Sequence, residues 1–264
     1  MKILLTNDDG VAAPGLWAAA RELSQVGELT VVAPSKERSG AGTSISLKRP
    51  IRVHEVASEV EGVHAFAVSG TPADSAIVAI RSLFEDQFDL VVSGINRGSN
   101  LGHDVYVSGT VGAAMQGYLH DIPSMAVSMY AYTDLDFSAV ARVAALLAKR
   151  VATGVLSGPM FLNVNAPNAA IGAIRGIGVT SLSQNSYCDR VDRGVDDDGQ
   201  YYLITRHEDM HEAPEGTDLW AVEHGIVSVT PLPDRVVDER FIALLERVVP
   251  DIQDELLATV NQRA

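Results

Sequence analysis

Two adjacent carboxylates, Asp8 and Asp9, have the residue types and the spacing of a metal site. They stand in the tetrapeptide Asn7-Asp8-Asp9-Gly10, directly after an apolar run at positions 3–5. Like charges placed side by side repel each other unless a cation holds them. Oxygen donors suit a hard divalent ion, and Mg²⁺ or Mn²⁺ fits best. The same residues are common in ordinary turns, so the tetrapeptide by itself leaves both interpretations open.

Three further loops carry polar residues that could complete such a site. Ser39 and Asn96 follow other strand-like runs and offer neutral oxygen donors beside the carboxylates. Ser108, Gly109 and Thr110 precede a helical stretch, and the N-terminus of a helix binds anions through its free backbone N–H groups. Each loop also has an ordinary interpretation, as a flexible loop, a turn or a helix cap. The four loops together favour a site that binds a metal ion and a phosphate.

The order of apolar segments explains how these loops could meet. Strand-like runs alternate with helical spacing over the first two thirds of the chain, which is typical of a parallel, doubly wound sheet. In such sheets the loops at the carboxyl ends of the strands open onto one edge. We therefore expect an α/β fold with a mostly parallel, Rossmann-like sheet (α/β/α), a C-terminal β-rich arm and a terminal helix.

The individual elements follow from periodicity and from turn residues. Strands are predicted at residues 3–6, 29–33, 45–47, 51–56, 64–68, 90–93, 125–129, 161–165, 174–182, 201–205 and 226–230, with 45–47 and 51–56 forming a hairpin. Helices are predicted at residues 15–26, 72–83, 110–120, 136–153, 218–224 and 241–260.

The alternation of strands and helices ends at Pro167. We expect residues 1–167 to form the metal- and phosphate-binding core. Residues 168–264 then form a C-terminal oligomerisation segment, including a strand and a helix that return to the core. The acidic segment 189–199 is predicted to be a loop or a hairpin arm. An extended arm over the irregular stretch 184–199 cannot bury its apolar residues alone, and isolated two-stranded hairpins are marginal in water. At least a homodimer is the predicted assembly.

Composition excludes several other classes of protein. With 47% apolar and 20% charged residues among 264, the chain is typical of a globular protein. A formal net charge of −14 argues against a nucleic-acid polymer as partner, because such surfaces are basic. Cys188 is the single cysteine, which excludes an internal disulfide and suits the cytoplasm. The most apolar helical stretch, 140–156, contains three basic residues, so no membrane span is expected.

Several segments of the chain, in order, resemble the SurE family of survival-protein nucleotidases. They are residues 1–10, 39–40, 69–74, 93–100, 108–114, 163–167 and 225–232. The resemblance covers the chain from Met1 to about Leu232. It implies a metal-dependent phosphomonoesterase that acts on nucleoside 5′- and 3′-monophosphates, with some action on short polyphosphate. It also implies dimers, formed through C-terminal segments, that often pair into tetramers.

The same resemblance implies roles for particular residues. Asp8, Asp9, Ser39 and Asn96 would be the ligands of one divalent cation per subunit. Near the substrate phosphate would lie Asn100 and the run Ser108, Gly109 and Thr110. Val107 stands where family members often have a tyrosine, and Tyr106 is one position earlier.

The chemistry expected of such a site is hydrolysis of a phosphate ester. The metal would bind a phosphate oxygen and activate a water, while Asp8 or Asp9 could instead orient the water or accept its proton. A covalent aspartyl-phosphate is less favoured, because Asp-x-Asp spacing is absent. Two alternatives stay open: a metal-dependent glycosyltransferase, and a nucleotide-binding sensor without turnover.

Overall fold

The computed structural model describes residues 1–84, 87–158, 160–184, 188–207 and 213–232. The strands are β1 Lys2–Thr6, β2 Glu28–Pro34, β3 Val53–Val56, β4 His64–Val68, β5 Leu90–Arg97, β6 Ser124–Tyr130, β7 Phe161–Pro167, β8 Gly176–Val179, β9 Cys188–Asp196, β10 Gly199–His207 and β11 Ile226–Pro231. The α-helices are α1 Pro14–Leu23, α2 Pro72–Val78, α3 Gly109–Leu119, α4 Ser138–Ala152 and α5 Asp218–Glu223.

A nine-stranded sheet organises most of the described residues from Met1 to Leu232. Its order is β3-β4-β2-β1-β5-β6-β7-β11-β8, and β4, β2, β1, β5, β6 and β7 run parallel to one another. The two ends of the sheet depart from this pattern, because β3 is antiparallel to β4 and β11 is antiparallel to β7. The predicted doubly wound, mostly parallel α/β fold is confirmed.

Alternation along β1 explains the two helical layers. Ile3 and Leu5 pack in the core cluster that contains residues of α1 and α4, whereas Leu4 packs in the cluster that contains residues of α2. Successive side chains of a strand point to opposite faces of its sheet. The helices accordingly pair as α1 with α4 and α2 with α3. Side chains just beyond β1 are therefore expected to diverge toward these two layers.

The predicted hairpin at 45–47 and 51–56 is wrong. Only Val53–Val56 forms a strand, and it pairs with β4. The preceding stretch is tied instead to the start of α2, because Ser46 N donates to Asp74 Oδ1 at 2.8 Å and Thr71 Oγ1 donates to Ser44 O at 2.7 Å. These contacts pair the Ser46 N–H and the Ser44 carbonyl with side chains of α2 and its N-cap in place of a strand ladder.

Of the two interpretations of residues 189–199, a loop or a hairpin arm, the hairpin arm is confirmed. Residues of β9 pair antiparallel with β10, and the two form a separate two-stranded sheet. At the turn, Asp198 N donates to Asp196 Oδ1 at 3.0 Å, and Gly199 has a φ of +117°. The predicted terminal helix at 241–260 lies outside the described residues. None of the described helices is long and apolar enough to cross a membrane.

Two strands after Pro167 return to the large sheet. β11 lies between β7 and β8, and β8 runs parallel to it. One compact unit consequently extends from Met1 to Leu232.

Candidate active site

The loop after β1 is closed by its own asparagine. Asn7 Nδ2 donates to Gly10 O at 2.9 Å, and Gly10 N donates to Asn7 Oδ1 at 3.2 Å. Gly10 has a φ of +98°, and a Cβ there would lie 3.0 Å from the carbonyl carbon of Lys36. Both the conformation and the close approach require glycine. The turn therefore has a defined shape that presents two consecutive carboxylates, those of Asp8 and Asp9.

Asp8 faces the start of α3. Its side chain is buried, with 4% of the residue exposed, and its Oδ1 accepts a hydrogen bond from the Thr110 hydroxyl. A Cβ on Gly109 would lie 2.9 Å from Asp8 Oδ2, so glycine permits the approach. Burial raises the pKa of Asp8 to about 6, the Thr110 hydrogen bond opposes this, and the neighbouring charge of Asp9 adds to it.

Asp9 is held by the end of β5. Its Oδ2 accepts a hydrogen bond from Arg97 N at 3.0 Å. Burial raises the pKa of Asp9, the Arg97 contacts lower it, and the charge of Glu37 raises it further. The two neighbouring carboxylates thus meet different parts of the protein, Asp8 at α3 and Asp9 at β5.

Ser39 and Asn96 are brought to this pair by the backbone beside them. Arg38 N, next to Ser39, donates to Asp8 O at 2.7 Å. Arg97, next to Asn96, makes the bond to Asp9. Each predicted neutral ligand is thus adjacent in sequence to a residue whose backbone N–H binds one of the two aspartates.

The side chains of these two residues offer oxygen atoms. Asn96 is buried, and its Nδ2 donates to Gly98 O at 2.7 Å, so its carbonyl oxygen is the group that it can offer a cation. Ser39 Oγ donates to Glu37 Oε1 at 2.8 Å and keeps lone pairs. Glu37 is a third acid of the site that the sequence analysis did not single out. The sequence feature that could have identified Glu37 is its position in the loop after β2, two residues before Ser39.

The donor set fits a hard divalent cation. Two carboxylates, a hydroxyl and an amide carbonyl are all oxygen ligands, the type that Mg²⁺ and Mn²⁺ prefer. Burial raises the pKa of both Asp8 and Asp9, and neighbouring carboxylates (Asp9 for Asp8, Glu37 for Asp9) raise it further, so a bound cation would favour their ionised forms. Over the described ranges, no group of three or more His, Cys, Asp or Glu side chains is placed to hold a metal. A metal at this position would therefore depend on the neutral ligands Ser39 and Asn96.

The first turn of α3 contains the predicted phosphate contacts. Ser108 is the N-cap residue, and Val111 N donates to its Oγ at 3.1 Å. The Thr110 hydroxyl is directed at Asp8. The first backbone N–H groups of a helix have no partner within the helix and lie at the positive end of its dipole. An anion placed here would meet the backbone of Gly109 and Thr110 beside the carboxylate of Asp8.

Asn100 lies in a buried network behind this turn. Its Nδ2 donates to Ser128 Oγ at 2.8 Å, and its backbone N donates to Asn165 Oδ1 at 2.9 Å. The backbone carbonyl oxygen of Asn100 accepts hydrogen bonds from Asn163 Nδ2 at 2.7 Å and from Asn165 Nδ2 at 3.1 Å. The structure therefore gives Asn100 a role in fixing the loop after β5, and its contact with phosphate stays a prediction.

Sequence reasoning assigned no role to the residues that anchor this loop, although residues 163–167 belong to a segment that resembles the SurE family. Asn163 and Asn165 occupy alternate positions on β7, so both side chains point to the same face, and that spacing was their signal. Asp218, at the start of α5, is fully buried and accepts backbone hydrogen bonds from Gly102 at 2.9 Å and Ser183 at 2.8 Å. No local pattern marks Asp218, because its partners are distant in sequence.

Comparison with known proteins identifies close relatives of this chain. Residues 3–189 match the family model described as survival protein SurE. The chain is 40% identical over 248 residues to the 5′-nucleotidase SurE of Dehalococcoides mccartyi strain CBDB1, covering 92% of this chain and 93% of that protein. It is also 40% identical over 266 residues to the 5′-nucleotidase SurE of Methanopyrus kandleri, covering 97% and 99%.

A solved structure gives the same result. The crystal structure of the SurE protein from Aquifex aeolicus matches this fold with a TM-score of 0.80 at 36% identity, covering 94% of this chain and 99% of that chain.

Proposed function

Because this chain belongs to the SurE family, we propose that it is a 5′-nucleotidase, a hydrolase that converts nucleoside monophosphates to nucleosides and phosphate. One observation of this structure carries the proposal. The buried carboxylate of Asp8 accepts a hydrogen bond from Thr110 at the start of α3. This contact places two acids suited to a metal next to a helix N-terminus suited to an anion. A phosphate ester bound there would lie beside both.

The site fits one divalent cation per subunit, Mg²⁺ or Mn²⁺, held by Asp8, Asp9, Ser39 and Asn96. When bound, such an ion neutralises phosphate charge and lowers the pKa of a coordinated water. Thr110 and the backbone of Arg97 orient the carboxylates of Asp8 and Asp9 by hydrogen bonds. These hydrogen bonds hold the carboxylates in fixed positions.

Residues of the chain itself bind the phosphate and activate the water. The backbone N–H of Gly109 binds a phosphate oxygen beside Thr110, whose own backbone N–H is hydrogen-bonded to Asp8, and Ser108 caps the helix that presents them. One of the two carboxylates, Asp8 or Asp9, orients the attacking water and accepts its proton. Asn100 is proposed as a further contact near the phosphate, in addition to its role in the loop.

The proposal extends to two finer activities and to assembly. We propose hydrolysis of nucleoside 3′-monophosphates and of short polyphosphate on the basis of the resemblance to the family.

A homodimer or homotetramer is supported by the hairpin of β9 and β10, whose exposed residues include Val191, Val195, Tyr202 and Ile204. An isolated two-stranded hairpin is marginal in water, so a partner surface would stabilise it. A cytoplasmic location stays a prediction that rests on the single cysteine.

A phosphate-release assay tests the function directly. The purified protein is incubated with AMP, 3′-AMP or a short polyphosphate, with Mg²⁺, with Mn²⁺ or with excess chelator. We expect phosphate from AMP only when a divalent cation is present. Sugar transfer from a nucleotide-sugar without phosphate release would favour the glycosyltransferase, and nucleotide binding without any product would favour the sensor.

A further inference from the structure

A cleft of about 340 Å³ opens beside Asp9, at the helical layer that contains α1 and α4. One wall is the start of α1, with Pro14 and Gly15, and the other is the segment that precedes α4, with Leu135 and Phe137. This cleft adjoins the acid pair from the Asp9 side, whereas Asp8 faces α3. Its volume lies in the range of sites for small organic molecules.

Most of the residues that line the cleft are apolar, among them Pro14, Leu135 and Phe137. The Phe137 ring is half-buried and lies against the backbone of α1, since a Cβ on Gly15 would be 3.1 Å from its Cε1. Pro14 is exposed at the opposite wall. Aromatic rings are favourable partners for nucleobases, because every base has a π-face that can stack. The cleft therefore has the surface that a purine or pyrimidine would bind.

The lining of the cleft also includes charged residues. Glu37 and Arg97 line it together with Asp9. A carboxylate accepts hydrogen bonds from hydroxyl groups, and a guanidinium donates to their oxygens. These groups suit the ribose that joins a base to its phosphate.

We propose that the nucleoside part of the substrate binds in this cleft, with its base against Phe137 and its ribose hydroxyls at Glu37 and Arg97. This inference rests on the proposed function, since it places the leaving group of the same reaction. In this arrangement the ester bond lies beside the acid pair, with the phosphate toward the start of α3 and the nucleoside toward the cleft. Binding of the base at Phe137 increases kcat/KM for nucleotides over phosphate esters that lack a base.

A second depression provides the alternative location. It measures about 640 Å³ and lies on the other side of Glu37, where it is lined by Ser39, Ala41 and Thr71, among other residues. None of its lining residues among those described is aromatic. The depression offers hydroxyl and backbone groups and the charged side chains of Glu37 and Arg38, but no aromatic ring. The cleft at Phe137 is therefore the better site for a base.

Two matched substitutions distinguish the sites. Ala12→Trp fills the cleft from an exposed position, and Ala41→Trp fills the depression. For each variant, kcat/KM is measured with AMP and with ribose 5-phosphate, which has the same sugar and phosphate but no base. We expect Ala12→Trp and Phe137→Leu to lower the ratio of AMP to ribose 5-phosphate by about tenfold, the size of one stacking contact. Ala41→Trp should leave this ratio at its wild-type value.

Adenosine provides a second measurement that needs no phosphate on the ligand. It should inhibit hydrolysis of ribose 5-phosphate competitively, and Ala12→Trp should raise its inhibition constant. An unchanged ratio and inhibition constant in Ala12→Trp, or a fall of the ratio only in Ala41→Trp, would overturn the proposed location. If the wild-type protein releases no phosphate from either substrate, the proposed function fails, and adenosine binding measured by calorimetry on Ala12→Trp still decides the location.

Discussion

The Thr110 hydroxyl donates a hydrogen bond to Asp8 Oδ1 and so joins residues that are 102 positions apart. The bond connects the loop after β1 to the first turn of α3. Asp8 is buried, so this hydrogen bond both satisfies the carboxylate and fixes its direction. The metal and phosphate parts of the proposed site are therefore positioned by one contact.

Removal of that contact should reduce catalysis while the fold remains. Thr110→Val keeps the shape of the side chain and deletes the donor. A hydrogen bond to a charged group contributes about 2 kcal/mol, so we expect kcat for AMP to fall by roughly thirtyfold. Thr110→Ser retains the donor and should restore most of the rate. Wild-type kcat in Thr110→Val would show that the bond has no catalytic role.

The two aspartates should be essential for activity and dispensable for folding. Asp8→Asn and Asp9→Asn each remove one negative ligand, and a catalytic metal contributes several kcal/mol, so a loss of roughly a thousandfold in kcat/KM is expected. Burial disfavours the ionised form of the Asp8 carboxyl group. In urea at pH 7, the free energy of unfolding of metal-free Asp8→Asn should therefore be at least as large as that of the metal-free wild type. Full activity of wild type in excess chelator would contradict metal dependence.

The neutral ligands should tune metal affinity more gently. In Ser39→Ala and Asn96→Ala, we expect the Mn²⁺ concentration for half-maximal activation to rise by about tenfold, because a neutral donor contributes less charge than a carboxylate. Maximal activity at saturating metal should stay close to wild type. Ser35→Ala, an exposed substitution in the same loop, is the matched control. Activation curves that coincide with the control would remove both residues from the ligand set.

Much of the fold was predictable because strands such as β1 and β6 are short apolar runs between helices with clear spacing. The four polar loops were likewise visible as breaks after those runs. The stretch at 45–47 was misassigned, because its apolar residues mimic a strand while its contacts go to Thr71 and Asp74. Local propensity contains no information on such distant partners.

The anchors of the site were harder to find for the same reason. Asn163 and Asn165 are buried polar residues in a strand, and their function depends on the Asn100 backbone more than sixty residues earlier. Glu37 was visible as an acid in a loop, but its proximity to Asp9 is a property of the folded chain. Sequence patterns thus predict where a site forms and leave its supporting contacts undetermined.

Asp218 should stabilise the loop after β5. Its two oxygens accept backbone hydrogen bonds from Gly102, Ser183 and Leu219. Asn at this position places an N–H group against a backbone donor, which leaves buried groups unsatisfied and costs about 3 kcal/mol. Urea unfolding of Asp218→Asn should show this loss, with Asp121→Asn as an exposed control in which Asn tolerates the positive φ of 59°. Equal midpoints for the two variants would show that the buried carboxylate contributes nothing.

The hairpin of β9 and β10 should mediate assembly. Val191 pairs with Ile204, and both lie on one face with Val195, where each side chain is more than half exposed. Exposed apolar residues on a hairpin that lies outside the large sheet favour association with a second chain. Light scattering at micromolar concentration should therefore give a molar mass at least twice the 28.1 kDa of one chain. The double variant Val191→Glu/Ile204→Glu places charges on that face and should shift the protein toward monomer, while Asp197→Asn at the exposed turn should not. A wild-type monomer with full activity would refute both the assembly and the role of the hairpin.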